Sequence, residues 1–173
     1  MPSVSAPERF AARPIGSALA GSPYQLIGAD RQIRHAPKHL LVPVSKTLEL
    51  MALEERVPPL VLAAFEDVRF FRPSTVRRFT ELAVRLPFVA ALGVGMPSSP
   101  APGVRGAALS PQDPLAREWT VVVLGAHMSA ALIALDLGDD GADPDRQFAF
   151  VVTYDRRLVT AAAQSMVGRV TTG

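Results

Sequence analysis

Apolar residues recur at regular intervals from Ser45 onward, and before that point they do not. Leu48, Met51, Ala52 and Glu55 follow Ser45 at helical spacing, with Ser45 as the expected N-cap and Pro58-Pro59 as the stop. Leu60 to Phe65 is then a continuous apolar run, the pattern of a strand covered on both faces. Glu66 to Phe71 leads to Pro73-Ser74, where Ser74 is the expected cap of a helix whose Val76, Phe79, Leu82, Ala83 and Leu86 form one apolar stripe. Pro87 stops it, and Phe88 to Val94 reads as the next strand, parallel to the first through a crossover helix.

Gly95 to Gly106 is rich in proline and glycine and reads as a loop of about a dozen residues, a length at which function or disorder is the usual explanation. Ala107 to Leu109 reads as a brief strand, and Asp113-Pro114 as an N-cap followed by proline in the first helical position. Trp119 to Leu124, aromatic or β-branched almost throughout, is the strongest strand signal. Met128 to Leu137 reads as strand or helix; the closeness of the preceding strand favours a hairpin partner. After the acidic stretch Asp139 to Asp145 come a strand, Phe148 to Thr153, and a helix capped by Asp155 with Leu158, Val159, Ala162, Met166 and Val167 on its apolar side. The fold class predicted is α/β: a single mixed five- or six-stranded sheet with about three main helices packed on it.

Residues 1–43 hold scattered prolines and no sustained period, and read as a Pro-rich, basic, partly disordered N-terminal extension to a domain spanning 44–173. Within the extension, Tyr24 to Gly28 and His39 to Val42 are apolar enough to pack as short strands.

The charge pattern adds to this. Of the 173 residues, 49% are hydrophobic and 20% charged, which suits a packed core. Residues 1–44 carry five Arg or Lys against Glu8 and Asp30, and residues 45–173 carry thirteen against fourteen acids. The basic excess lies in the extension, so a nucleic-acid surface is not expected of the body. The absence of cysteine removes a disulfide scaffold, a thiolate zinc site and a cysteine nucleophile together. No apolar run approaches the ~18 residues that span a bilayer, so no membrane segment is expected and a cytoplasmic location is.

Motifs for chemistry are sparse. His35 and His39 are four apart, but Pro37 between them breaks the helix that would make the spacing useful, and no metal is expected. Gly93-Val94-Gly95 lacks the third glycine and following helix of a nucleotide loop, and neither Ser74 nor Ser129 sits in a nucleophile elbow. Glu66 and Asp67, Asp136 and Asp155 fall near strand ends, where α/β sheets place ligand groups; as structure, Asp155 caps a helix, Asp136 closes a strand and Glu66 pairs with an arginine. Arg69, Arg72, Arg77, Arg78 and Arg85, interleaved with phenylalanines, form the densest basic patch of the body and read foremost as a solvated, internally paired face, then as a surface for a protein partner, and last as a reader of nucleic-acid phosphate. Phe65, Phe70, Phe88, Trp119, Phe148 and Phe150 read as core aromatics, some of which can line a pocket.

Taken in order, several segments resemble the DICT domain, a sensory module of bacterial diguanylate cyclases and two-component proteins, over roughly Val44 to Val167. They are Ser45-Lys46-Thr47-Leu48, Leu62-Ala63-Ala64-Phe65 with Phe70, Phe79-Thr80-Glu81-Leu82-Ala83, and Asp113-Pro114-Leu115-Ala116-Arg117-Glu118-Trp119-Thr120-Val121-Val122. Ala134-Leu135-Asp136, Arg146-Gln147-Phe148 and Thr153-Tyr154-Asp155 complete the set. The resemblance implies a sensory or scaffold domain, in some settings linked to light responses, with no catalytic residue and no cofactor. The family commonly has glutamine where this chain has Glu66, so a polar contact there differs in charge. The partner implied is a bacterial regulatory protein of the transcription-factor, histidine-kinase or cyclase type, or a second copy of the chain; no output module is recognisable beside the domain, so a signal is expected to pass to that partner.

The sequence thus predicts a non-enzymatic sensory or adaptor domain with Phe65, Glu66, Phe70, Trp119 and Asp136 at a ligand pocket, and Arg69, Arg72, Arg77, Arg78 and Arg85 at a partner surface. Two other classes compete. One is an enzyme using Glu66, Asp136 or Asp155, which requires those carboxylates at one concave site. The other is a structural subunit whose extension docks on its twin through the apolar residues near Leu26 and Leu41.

Overall fold

The computed structural model describes residues 21–28 and 31–171. Seven strands form one mixed sheet: β1 (Arg34–Pro37), β2 (Leu60–Asp67), β3 (Val89–Val94), β4 (Arg105–Leu109), β5 (Glu118–Leu124), β6 (Ser129–Asp136) and β7 (Gln147–Thr153), in the order β1-β7-β6-β5-β2-β3-β4. β2, β3 and β4 run parallel, and the remaining pairs are antiparallel. Three helices pack on it, α1 (Lys38–Glu54), α2 (Pro73–Arg85) and α3 (Arg156–Thr171).

The side-chain period of two divides β2 between two cores. Val61, Ala63 and Phe65 face α1 and α2 with Leu41, Leu48, Phe79 and Leu82, whereas Leu62 and Ala64 face α3 with Val159, Ala162 and Met166. A sheet buried on both faces needs uninterrupted apolar strands, and that is why β2 and β5 read so clearly. The predicted caps at Asp113 and Asp155 are present: Asp113 accepts from the Leu115 amide at 2.9 Å, and Asp155 from the Arg157 amide at 2.8 Å.

The structure corrects the reading before residue 60. The sheet has seven strands where five or six were predicted, and the additional one, β1, lies in the supposed extension. Tyr24–Leu26 is a turn of 3-10 helix rather than a strand, and residues 39–42 are helical. α1 begins at Lys38, so it crosses residue 43, and Ser45 is no cap: buried mid-helix, its hydroxyl donates to the Val42 carbonyl at 2.9 Å. The helix runs through Pro43 because Leu41, Leu48 and Ala52 bury its inner face, and that burial outweighs the amide hydrogen bond lost at the proline. Ser74 does not cap α2; Arg72 holds the N-cap position, without a side-chain hydrogen bond. Leu26, partly buried, packs on the α3-side core and Leu41, buried, on the α1-side core of the same molecule. The looseness expected of the earlier half of the extension falls on residues outside those described.

The loop before β4 is built into the fold. Met96, Ala101 and Val104 are buried, and the Gly106 amide donates to the Ser98 carbonyl at 2.9 Å. A Cβ on Gly106 would lie 1.8 Å from the Pro97 carbonyl oxygen, so only glycine lets the loop cover this outer strand.

Candidate functional site

At the end of β2 the strand register shifts between Ala64 and Asp67, and Glu66 takes a left-handed backbone conformation with φ of 65°. Such a conformation costs a non-glycine residue of order 1–3 kcal/mol and persists where the surroundings impose it. Here they impose it through Arg146, immediately before β7. Its guanidinium donates to both Glu66 carboxylate oxygens at 2.9 Å, to Asp136 Oδ2 at 2.6 Å and to Asp143 Oδ1 at 3.2 Å.

Phe70, in the 3-10 turn Val68–Phe70 that follows β2, gathers three cations around its ring. Lys38 Nζ stands 4.3 Å from the centroid, Arg146 Cζ 4.6 Å and Arg69 Cζ 4.8 Å. Lys38 also donates to Asp143 at 2.7 Å, and Arg72 to the same carboxylate at 3.1 Å. Asp143 thus ties the first residue of α1, the N-cap of α2 and the residue before β7 together.

Between α1, α2 and the end of the sheet lies a cleft of about 230 Å³. Phe65, Phe70 and Trp119 supply its aromatic surface, Lys38, Lys46, Arg72 and Arg78 its cations, and Glu49, Glu66 and Asp143 its carboxylates. Glu49 is buried on α1 and accepts from Arg78 of α2. A second hollow on the far side of Glu66, Phe70 and Arg146 is lined by Asp67, Arg69, Arg117 and Asp136.

Burial raises the carboxyl pKa values of Glu49 and Glu66 above their ordinary range, outweighing the arginine that each accepts from. Burial also opposes the Arg146 charge, but Glu66, Asp136 and Asp143 override it and hold the guanidinium protonated. Asp143 is itself partly desolvated, yet Lys38 and the two arginines keep its pKa low. On the opposite face of the sheet, burial pushes Glu118 up to about 7, against hydrogen bonds from Ser22, the Tyr24 amide and Thr120.

The five residues chosen for a pocket fall in one region. Phe65, Glu66, Phe70 and Trp119 line the cleft; Asp136 lies across the Arg146 partition, in the second hollow with Glu66 and Phe70. The arginine patch separates. Arg72 and Arg78 enter the cleft as ion-pair partners, Arg85 donates to the Leu53 carbonyl at 3.0 Å, Arg69 stacks on Phe70, and Arg77 is exposed on α2. Glu66 and Asp136 meet at one guanidinium, whereas Asp155 lies past the other end of β7, where it accepts from Arg31 at 2.6 Å. Sequence reasoning missed Lys38, Glu49, Thr75, Asp143 and Arg146. Of these, Arg146 stood in the quoted Arg146-Gln147-Phe148 segment, whose basic residue precedes a buried strand.

The family model of the DICT domain, a sensory domain in diguanylate cyclases and two-component systems, matches residues 24–137. The chain belongs to the DICT family. The match starts at the segment packed beside α3 and ends after β6, earlier at both ends than the resemblance read from the sequence. No curated protein matches in sequence. Among solved structures, the chain is similar to TrmBL2, an archaeal chromatin protein described as showing a novel mode of DNA binding, with 13% identity, a TM-score of 0.48, and coverage of 85% of this chain and 55% of that one. It is also similar to polyphosphate kinase from Porphyromonas gingivalis, with 11% identity, a TM-score of 0.47, and coverage of 76% and 22% respectively. Among the described residues no helix is long and apolar enough to cross a membrane, and no cluster of acidic or histidine side chains is grouped to hold a metal ion.

Proposed function

We propose that this DICT domain is a non-enzymatic sensor that binds a small molecule in the cleft between α1 and α2 and passes its occupancy to a regulatory protein. The observation behind this reading is that one concave site unites an aromatic wall with charged side chains from α1, α2, β2 and the loop before β7. A ligand there touches several elements at once, which is what a sensor needs in order to bias one arrangement over another. Against catalysis stands the engagement of the carboxylates: Glu66 and Asp136 both accept from Arg146, so neither is poised as a free base.

The partner face that suits this reading is the outer side of α2, where exposed Arg77 and Arg85 outnumber Glu81, flank the exposed Val84 and offer net positive charge to an acidic regulator. Arg77→Glu is the variant of choice there, because Arg78 neutralises the buried Glu49 and its reversal would disturb folding. The test is a metabolite screen read by fluorescence of the single tryptophan, Trp119, alongside native mass spectrometry. A compound that shifts both supports the reading. If no compound perturbs Trp119 or adds mass, the small-molecule sensor is rejected.

A further inference from the structure

The chemistry of the cleft narrows what it can hold, and the narrowing rests on the ligand-binding reading above. Volume comes first. About 230 Å³ exceeds the ~150 Å³ cavity that accepts benzene. One ring with a substituent fits within it.

Charge comes second. Every carboxylate in the lining is already engaged. Both Glu66 oxygens accept from Arg146, Glu49 accepts from Arg78, and Asp143 accepts from Lys38, Arg72 and Arg146. Spare capacity is on the donor side: Lys46 attracts Glu49 at a distance but makes no ion pair among the described residues, and Arg72 uses one of its five N–H groups.

A third observation is independent of charge. Thr75 lines the cleft, and its hydroxyl makes no hydrogen bond among the described residues and is open to the cleft. Several other helical hydroxyls return to their own backbone: Ser45 to Val42, Thr47 to Pro43, Thr80 to Val76. For Thr75 the nearby Arg72 carbonyl already accepts from the Thr75 and Val76 amides. No buried side-chain polar atom among the described residues lacks a partner, so this hydroxyl reaches solvent in the cleft, where a ligand oxygen can take the place of a water. The start of α2 adds to the effect, since it has no side-chain cap and no acid in its first turn to offset the helix dipole.

We propose that the cleft takes a small one-ring organic anion, its acid group beside Lys46, Arg72 and the Thr75 hydroxyl and its flat body against Phe65, Phe70 and Trp119.

Titrating the full chain with benzoate, benzamide and benzylamine at low salt tests this, with Trp119 fluorescence and the Thr75 amide resonance as readouts. Benzoate is expected to bind at least about fivefold tighter than benzamide, with benzylamine weakest. Lys46→Gln and Arg72→Gln, both at exposed positions, are each expected to weaken benzoate about fivefold and leave benzamide unchanged. Thr75→Val, nearly isosteric, should weaken benzoate without unfolding the protein. Equal or tighter binding of benzamide or benzylamine overturns the anion assignment while leaving a ligand cleft in place. If none of the three moves Thr75 or Trp119, the one-ring class is rejected, and the metabolite screen then decides separately whether the cleft binds anything.

Discussion

Arg146 is the residue on which the charges near the cleft converge. Its side chain is 11% exposed and neutralises Glu66, itself 8% exposed, along with Asp136 and Asp143. Removing one member of a buried ion pair strands the other, at a cost of about 3–5 kcal/mol, whereas replacing both with neutral groups is often tolerated. Arg146→Met is therefore expected to destabilise the domain by about that amount in urea unfolding, and Glu66→Gln in the same chain to recover much of it. An additive double variant would mean that the two residues do not act as a pair. Glu66 was legible because it ends an apolar strand; Arg146 was not, since it lies 80 residues away and no local period links the two. A second residue-scale prediction concerns Glu118, buried and in no ion pair among the described residues, whose pKa burial raises from 4.5 to about 7 despite the attraction of Arg169. Between those values the folded state holds a proton more readily than the unfolded chain, so stability falls as pH rises through that window. Glu118→Gln keeps an acceptor for the Tyr24 amide and avoids ionisation. It is expected to be more stable than the parent at pH 8, by on the order of 3 kcal/mol at most, and no more stable near pH 4.5. Identical thermal-unfolding profiles across this range would show that Glu118 ionises without penalty.

The elements that could be read from the sequence share one property: their pattern is set by burial on the sheet. β2, β5 and β7 are covered on both faces and carry the apolar runs that this demands. β1 fails that test because it is a four-residue outer strand, Arg-His-Ala-Pro, pairing only with β7 and ending in a proline. α1 was misread for a related reason. Pro37 and Pro43 are stop signals in local terms, yet Pro37 occupies the N-cap, where no amide is needed, and Pro43 is held by the packing around it. If that packing decides the helix, the residues ahead of Pro43 are part of the core. Leu41, 2% exposed, is expected to cost about 2–5 kcal/mol when changed to alanine. A loss under about 0.5 kcal/mol would instead be the behaviour of a surface position. A chain beginning at Val44 would lack Lys38 and Leu41 together, and so would lose both a cleft residue and a core residue.

At the scale of the whole molecule, the sheet separates a cleft face from an opposite face, and the two are held by different contacts. On the cleft face, α1 is fastened to the loop before β7: the Lys38 amide donates to the Arg146 carbonyl at 2.8 Å, Lys38 Nζ to Asp143, and His39 Nδ1 lies 3.0 Å from the Pro144 carbonyl. On the opposite face, α3 is fastened by Arg169 to Asp113, at 2.8 and 2.9 Å, and by Ser165 to the Gly21 carbonyl at 2.6 Å. A ligand anion that draws Lys38 or Arg72 toward itself competes with Asp143 for the same N–H groups, and Asp143 is one of the links by which the loop is held. The change is therefore expected to be local, confined to the start of α1, the start of α2 and residues 137–146, because the α3 fastenings share no residue with the cleft. Amide hydrogen exchange with and without a bound ligand measures this directly. Altered protection in those three segments, with α3 and its core unchanged, is the expected pattern of a signal generated at the cleft. Uniform slowing across all ten strands and helices would instead be mass-action stabilisation of the folded state, in which the ligand favours no one arrangement over another and cannot signal through this fold.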